Sequence, residues 1–174
     1  MATIRREVRI EAPPETVWDA VRDLGALHTR LVPGFVTDVR MEEGARIVTF
    51  GNGTVAREVI VSIDDEARRL VWAIVGGRMT HHNGAAQVFA EGPDRSRFVW
   101  TTDLLPDDLA PAIAAMMEQA MPILKATVER AEKKRSGRPA TGPPAGVRFL
   151  ETSPDSAGQR IRWWSQPDGS VLQI

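Results

Sequence analysis

The chain has 174 residues, of which 43% are hydrophobic, and its formal net charge is −1. This balance predicts one globular domain with an appendage and gives no argument for nucleic-acid binding. The absence of cysteine excludes disulfides, thiol catalysis and cysteine metal sites. Nothing at the N-terminus resembles a signal peptide and no apolar run approaches the length of a membrane span, so we expect a cytoplasmic protein without membrane insertion.

The first part of the chain predicts one strand followed by a short helical region. Apolar and charged residues alternate over residues 3–11, which is the two-residue period of a half-buried strand. Residues 14–23 predict an amphipathic helix, because proline is tolerated in a first turn and the apolar residues fall on one face. Residues 27–31 add one more turn before a Pro-Gly pair breaks the pattern.

A run of strands occupies the middle of the sequence. Six strand-like segments, separated by turn signals and with no helix-length segment between them, predict an antiparallel meander. They cover residues 35–42, 46–50, 54–64, 69–76, 85–91 and 97–105.

One long helix is predicted after these strands, at residues 106–135. Its apolar residues recur at spacings of three and four and share one face: Ile113, Met117, Met121, Leu124 and Val128. Pro122 removes one backbone donor, so we expect a bend near Glu118 that leaves space beneath the helix. A strand, small helices, six strands and a long helix predict an α+β fold in which one curved sheet wraps around the final helix.

Three segments carry a resemblance to a known superfamily. The opening EAPPETVWDAVRDL, the meander ending in VWTTDLLPDD and the long last helix resemble the START-like helix-grip proteins, also called SRPBCC or polyketide cyclase/dehydrase-like. The resemblance covers about residues 2–134. It implies a curved seven-stranded antiparallel sheet around the C-terminal helix, with a cavity between them. Members carry ligands, sense hormones or cyclise polyketides, so the fold leaves the function open.

The middle strands are similar to those of the plant abscisic-acid receptors. The similarity covers AREVIVSIDDEARRLVWAIVGGRMTHHN. The receptors' gate loop is replaced by Gly51-Asn52-Gly53 and their latch by Met79-Thr80-His81, so we do not expect a gate-and-latch receptor. Their pocket, transferred by position and extended along the same faces, implies a set of ligand-binding residues. These are Glu58, Ile60, Trp72, Ile74, His81, Ala86, Val88, Val99, Thr101, Ile113, Met116, Met117, Ala120, Met121 and Leu124.

In two strands this transfer conflicts with the alternation of apolar residues. In residues 54–64 the transfer directs Glu58, Ile60 and Ser62 inward, against a more apolar opposite face formed by Val55, Val59, Val61 and Ile63. In residues 97–105 it directs Val99, Thr101 and Asp103 inward, against the aromatic pair Phe98 and Trp100. We follow the transfer in both strands, because sheets of this fold curl and bulge.

The candidate catalytic residues, if the protein is an enzyme, are Glu58, Asp103 and His81. A carboxylate in an apolar cavity needs a partner to stay charged, and it can anchor a ligand or act as general acid or base. The alternative for Glu58 is an outward surface position. His81, more than His82, is expected to hydrogen-bond a ligand or shuttle protons. The two histidines are adjacent and point to opposite faces, so no metal site is predicted, and no cofactor is expected.

The end of the chain is predicted to form a separate segment. Residues 136–146 are rich in proline and glycine and predict a linker after a domain of residues 1–135. Residues 147–150, 160–164 and 171–174 predict short strands around a Ser-Pro-Asp turn and a Pro-Asp-Gly turn. The aromatic residues of this β-rich tail, 147–174, are too much apolar surface to leave in water. We therefore expect the tail to dock on the domain or on another subunit of a homodimer.

Three functions remain open on the sequence. The first is binding of a small, largely apolar molecule with one or two polar groups, for carriage, sensing or sequestration. The alternative is a cyclase or dehydratase without metal or organic cofactor, in which Glu58 or Asp103 acts as acid or base and His81 assists. The third is a protein-interaction module with a closed cavity.

Overall fold

The computed structural model describes residues 1–137, 148–154, 160–165 and 171–173. The chain divides into two compact units, Met1–Arg135 and Ser136–Ile174. The first unit holds a seven-stranded antiparallel sheet in the order β1-β7-β6-β5-β4-β3-β2. Its strands are β1 Ala2–Ile10, β2 Val36–Glu42, β3 Ala45–Phe50, β4 Val55–Asp64, β5 Arg69–Ile74, β6 His81–Ala90 and β7 Ser96–Leu105. The helices are α1 Pro14–Arg22 and α2 Ala110–Ser136. The predicted α+β helix-grip fold is confirmed.

Short turns connect these elements. Residues Leu24–Ala26 form a 3₁₀ turn, Leu27–Leu31 one π-helical turn, and Asp107–Leu109 a 3₁₀ turn that leads into α2. The long helix therefore begins later than predicted. Strand β6 begins at His81, four residues earlier than the predicted residue 85, because His81 pairs with Leu105 of β7. A ladder supplied by the neighbouring strand extends β6 beyond the point that local composition indicates.

The two helices bury one face each. The buried residues of α1 are Val17, Trp18, Ala20 and Val21. Those of α2 are Met117, Ala120, Met121, Leu124 and Val128. Polar contacts tie α2 to β1: Arg6 lies 2.6 Å from Glu118, and Lys125 Nζ donates to the Arg9 carbonyl at 2.8 Å. Helix α2 continues through Pro122, and the bend near Glu118 remains a prediction.

A β-bulge in β4 accounts for the conflict in that strand. Ile60 pairs with Trp72 of β5, whereas Ser62 pairs with Val71, so Val61 is the extra residue. The bulge reverses the alternation, and Ile63 then pairs with Leu70. Before the bulge Glu58 and Ile60 face the core, whereas Ser62, after the bulge, is exposed, so the transferred orientation is wrong for Ser62.

In β7 the transferred orientation is wrong. Phe98, Trp100 and Thr102 face the core, and Val99, Thr101 and Asp103 lie on the outer face of the sheet. Strand β7 pairs without a register shift along its whole length with both β1 and β6. Strict alternation therefore holds, and the larger aromatic side chains take the face that packs beneath α2.

The second unit contains three antiparallel strands in the order β10-β9-β8. They are β8 Arg148–Pro154, β9 Arg160–Ser165 and β10 Val171–Gln173. Strand β8 includes the serine and proline of the predicted Ser-Pro-Asp turn. The linker predicted at residues 136–146 lies outside the described residues from 138 onward, and docking of the tail remains a prediction. None of the described helices has the length and apolar character needed to cross a membrane.

Candidate ligand-binding cavity

A cavity lies between the inner face of the sheet, α2 and the turns that follow α1. Its volume is about 80 Å³, counted as the space open to the centre of a water molecule. Nine of the predicted ligand-binding residues line it: Glu58, Trp72, Ile74, Ala86, Ile113, Met116, Ala120, Met121 and Leu124. Most of the wall is apolar, so the cavity suits a small molecule whose surface is largely hydrocarbon.

The turns after α1 form one end of the cavity, which the sequence did not predict. Leu27, Leu31, Phe35 and Phe50 line this end. The two phenylalanine rings meet edge to face with centroids 5.7 Å apart. Gly51 lets the two backbones approach closely at this contact. Its amide donates to the Phe35 carbonyl at 2.8 Å, and a Cβ at this position would lie 2.4 Å from the Gly34 backbone oxygen. The apolar residues beside the Pro33-Gly34 break were the feature of the sequence that could have indicated this end of the cavity.

Two tryptophans form an aromatic wall. Trp72 is the cross-strand partner of Gly84 and lies directly over it, since a Cβ on Gly84 would be 2.6 Å from Trp72 Cε2. The rings of Trp72 and Trp100 have centroids 6.1 Å apart at an angle of 48°. Trp100 was missed because the transferred orientation of β7 turned it outward. Aromatic pairs at this separation attract, and their free faces can pack on a ring of a ligand.

The carboxylate of Glu58 has a partner that the sequence analysis did not identify. Arg46 on β3 and Glu58 on β4 are cross-strand neighbours, and Arg46 Nε lies 2.7 Å from Glu58 Oε2. The side chains are only 4% and 7% exposed. Arg46 Nη1 also donates to the Leu24 carbonyl at 3.2 Å. The sequence could have indicated this pair, because Arg46 and Glu58 carry opposite charges on two strands that form one hairpin. This ion pair compensates two charges that the cavity would otherwise leave unpaired.

His82, rather than His81, lines the cavity. His81 is exposed on the outer side of β6, whereas His82 is 8% exposed and points inward. The prediction chose the wrong histidine because it left both in a loop before β6; within the strand, His82 shares the inner face with Ala86, four residues later. The Ile74 amide donates to His82 Nδ1 at 3.0 Å. Burial away from water lowers the pKa of His82 to about 4; the neighbouring His81 adds to this shift and Asp103 partly opposes it.

The remaining predicted residues do not line the cavity. Ile60 and Val88 pack in the core around it, and Met117 belongs to a second cluster with Ile4 and Leu104. An outer groove on the opposite face of the sheet contains Val99, Thr101 and Asp103. The Thr3 hydroxyl donates to Asp103 there at 2.6 Å. Asp103 and His81 therefore cannot act together with Glu58 on a molecule in the cavity.

Two polar side chains of the cavity, Glu58 on β4 and His82 on β6, lie on the strands either side of β5. Glu58 pairs with Ile74, and the Ile74 amide is bound to His82, so Glu58 and His82 flank Ile74 on either side. Adjacent strands are about 4.8 Å apart, which separates the two backbones by roughly 10 Å. Beside an apolar wall, the cavity thus offers one compensated carboxylate, one neutral imidazole, the Thr102 hydroxyl and the indole N–H of Trp100, which has no hydrogen-bond partner among the described residues. Within the part of the chain that is described, no three acidic or histidine residues could hold a metal ion.

The curved sheet, the long helix packed against it and the cavity between them define a START-like helix-grip protein. Residues 1–129 match the family described as "Polyketide cyclase / dehydrase and lipid transport", and the chain belongs to that family. No sequence among curated proteins matches it.

Three solved structures illustrate the likeness. A Thermobifida fusca protein determined by solution NMR is 28% identical, covers 76% of this chain and 96% of its own, and has a TM-score of 0.62. The aromatase/cyclase Zhui from Streptomyces sp. R1128 is 17% identical, with coverages of 82% and 99% and a TM-score of 0.60. Norcoclaurine synthase from Thalictrum flavum, bound to dopamine and hydroxybenzaldehyde, is 17% identical, with coverages of 75% and 85% and a TM-score of 0.59. At 17% identity these last two show the fold alone.

Proposed function

We propose that this protein binds a small, largely apolar molecule with one or two polar groups in the cavity between the sheet and α2. One observation carries the proposal: the cavity wall is apolar, and its charged side chains are already compensated by each other in the Arg46–Glu58 pair. An apolar molecule entering the cavity is removed from water without leaving a charge unpaired.

Adaptable side chains support this function. Met116 and Met121 on α2 line the cavity, and the unbranched methionine side chain adjusts to ligands of different shape. A ligand that buries roughly 300 Å² of apolar surface would gain about 7 kcal/mol before the cost of its immobilisation. Carriage, sensing and sequestration all use this kind of binding.

A cyclase or dehydratase is the second candidate, favoured by the carboxylate of Glu58 and the imidazole of His82 on either side of Ile74. The solved aromatase/cyclase of the same fold is consistent with it. Two features favour binding instead. The pKa of His82 near 4 makes it a weak base at neutral pH, and Arg46 engages the carboxylate that would have to transfer a proton.

Blocking the cavity tests the binding function. Ala86 lines the cavity and its neighbour Ala85 lies on the outer face, so Ala86→Phe and Ala85→Phe form a matched pair. The protein is purified and denatured, and the released small molecules are identified by mass spectrometry. We expect a retained apolar compound in the wild type and in Ala85→Phe, and its loss in Ala86→Phe. Equal retention by both variants, with both shown to be folded by circular dichroism, would refute cavity binding.

The same compound separates binding from catalysis. Incubation with fresh protein leaves it unchanged if the protein is a carrier or sensor. Conversion by the wild type but not by Glu58→Gln would establish the enzyme instead. Because Arg46 loses its charged partner in that variant, its fold must be checked in parallel.

A further inference from the structure

We propose that the outer groove of the sheet is a second binding site, and that it takes a small zwitterion whose amine and carboxylate are several bonds apart. The groove lies across β1, β7, β6 and β5, on the face of the sheet opposite to the cavity. Its volume is about 300 Å³, against about 80 Å³ for the cavity. The proposed binding function concerns the cavity alone, so this inference goes beyond it.

Strand pairing places short side chains at the centre of the groove. Thr101 of β7 pairs with Ala85 of β6, and both lie on the outer face. Val99, the next outward residue of β7, is only 6% exposed. Longer side chains from β1, β5 and β6 stand around these positions: Arg5, Arg69, Gln87 and Phe89. The outer face therefore has a depression with a largely apolar floor at this place.

Two unpaired charges of opposite sign line this groove. Among the described residues, Arg69 of β5 has no acidic partner and Asp103 of β7 has no basic one. The Thr3 hydroxyl donates to Asp103 at 2.6 Å, which leaves the negative charge in place. Arg5, by contrast, is compensated by Glu7 at 2.7 Å. Arg69 and Asp103 are both partly buried, and there water compensates a charge less well than on an open surface.

The distance between these two charges sets the size of the ligand. Arg69 pairs with Gln87, and Gln87 pairs with Val99, which is four residues before Asp103 on β7. Four residues along the strands and two strand spacings across them place the Cα atoms of Arg69 and Asp103 roughly 16 Å apart. The two side chains are too short to meet over that distance. A molecule of several bonds between them can place its carboxylate on the guanidinium and its amine on the carboxylate.

Unused hydrogen-bonding groups lie beside this path. The side-chain amide of Asn83 and the hydroxyl of Thr101 line the groove and have no hydrogen-bond partner elsewhere in the described part of the chain. Both groups can donate and accept, so they suit a polar group between the two ends of a ligand. A simple anion would pair with Arg69 but be repelled by Asp103, and a simple cation would meet the reverse situation. Only a molecule with both charges compensates the whole groove.

Three probes of equal chain length separate the two charges. 5-Aminopentanoate carries both, pentanoate only the carboxylate, and pentylamine only the amine. Dissociation constants are measured at low salt by titrating the full ¹⁵N-labelled chain with each probe and following the backbone amide shifts of β6 and β7. We expect 5-aminopentanoate to bind about tenfold more tightly than either other probe. Equal constants for the three probes, or no binding of 5-aminopentanoate, would overturn the proposal.

Two variants remove one charge each. In Arg69→Gln, 5-aminopentanoate should bind no more tightly than pentylamine, and in Asp103→Asn no more tightly than pentanoate. Asn at position 103 can still accept the hydrogen bond from Thr3. The controls Arg78→Gln and Asp94→Asn remove exposed charges outside the groove and should preserve the tenfold difference. If a groove variant is folded by circular dichroism and keeps the tenfold difference, the assignment of that charge is wrong.

The variants Ala85→Phe and Ala86→Phe locate the site. Ala85→Phe fills the groove and should abolish binding of 5-aminopentanoate, whereas Ala86→Phe, which blocks the cavity, should leave it unchanged. The opposite result would place the probe in the cavity and overturn the proposal, while the cavity function would stand.

A dipeptide probe distinguishes two sources of the zwitterion. Glycylglycine has as many bonds between its charges as 5-aminopentanoate, but it adds a peptide group that can bind Asn83 and Thr101. Tighter binding by glycylglycine would identify short peptides as the ligand class, and tighter binding by 5-aminopentanoate would identify amino acids with a terminal amine. Either result upholds a zwitterion site.

Discussion

The buried ion pair between Arg46 and Glu58 provides the sharpest test of the cavity's energetics. In Arg46→Met the carboxylate of Glu58 remains 7% exposed and loses the donor that lies 2.7 Å away. Removing one partner of a buried pair costs about 3–5 kcal/mol. For a chain of this size, each kcal/mol lowers the melting temperature by about 2–4 °C, so the expected fall is roughly 6–20 °C.

The double variant Arg46→Met with Glu58→Met distinguishes charge compensation from packing. Replacing both charges with apolar side chains of similar volume should recover most of the lost stability, because no unpaired charge remains. The control is Arg57→Met: Arg57 is adjacent to Glu58, faces outward, and pairs with Glu42 at 3.1 Å with the two side chains 44% and 35% exposed. It should change the free energy of unfolding by less than about 1 kcal/mol. Urea denaturation measures all of these values. A cost below 1 kcal/mol for Arg46→Met, or a double variant as unstable as the sum of the single ones, would refute this account.

Two further predictions concern the inner face of the sheet. Gly84→Ala should destabilise the fold by about 1–3 kcal/mol and change the near-ultraviolet circular dichroism, because the added Cβ would lie 2.6 Å from Trp72. Adding Trp72→Phe to this variant should restore part of the lost stability. An unchanged free energy of unfolding in Gly84→Ala would contradict the close contact. Burial lowers the pKa of His82 from 6.5 to about 4, so between these pH values the unfolded chain binds a proton more readily than the folded chain. The free energy of unfolding therefore falls as the pH drops from 6.5 toward 4, and His82 accounts for at most about 3 kcal/mol of this fall. His82→Gln should therefore lose less stability than the wild type between pH 7 and pH 4.5 in urea titrations, and an identical loss would show that His82 does not titrate as a buried group.

Local periodicity was sufficient to predict the order of the elements. The two-residue alternation of residues 3–11 became β1, and the spacing of three and four in the last helix identified the buried face of α2. These patterns can be read from the chain because a strand or helix buries one face whatever it packs against. The curved sheet around the last helix then followed from this order of elements.

The orientation of individual strands depended on tertiary contacts. The bulge at Val61 reverses which residues of β4 face the core, and no residue type in that strand indicates where the bulge lies. In β7 the uninterrupted pairing with two neighbours keeps Trp100 inward and Asp103 outward. A displacement of one residue moves every side chain of a strand to the other face. Pocket residues transferred by position from another protein are therefore assigned to the wrong face wherever the register differs by one.

The sequence by itself determined that this chain forms a seven-stranded helix-grip domain with an apolar cavity wall along α2. The tertiary structure alone decided the polar chemistry of that cavity. Arg46 compensates Glu58 because β3 and β4 pair in a particular register, and His82 replaces His81 because β7 extends β6 by four residues. Apolar periodicity is a property of each segment, whereas the partner of a buried charge or imidazole depends on the register between strands that are distant in the chain.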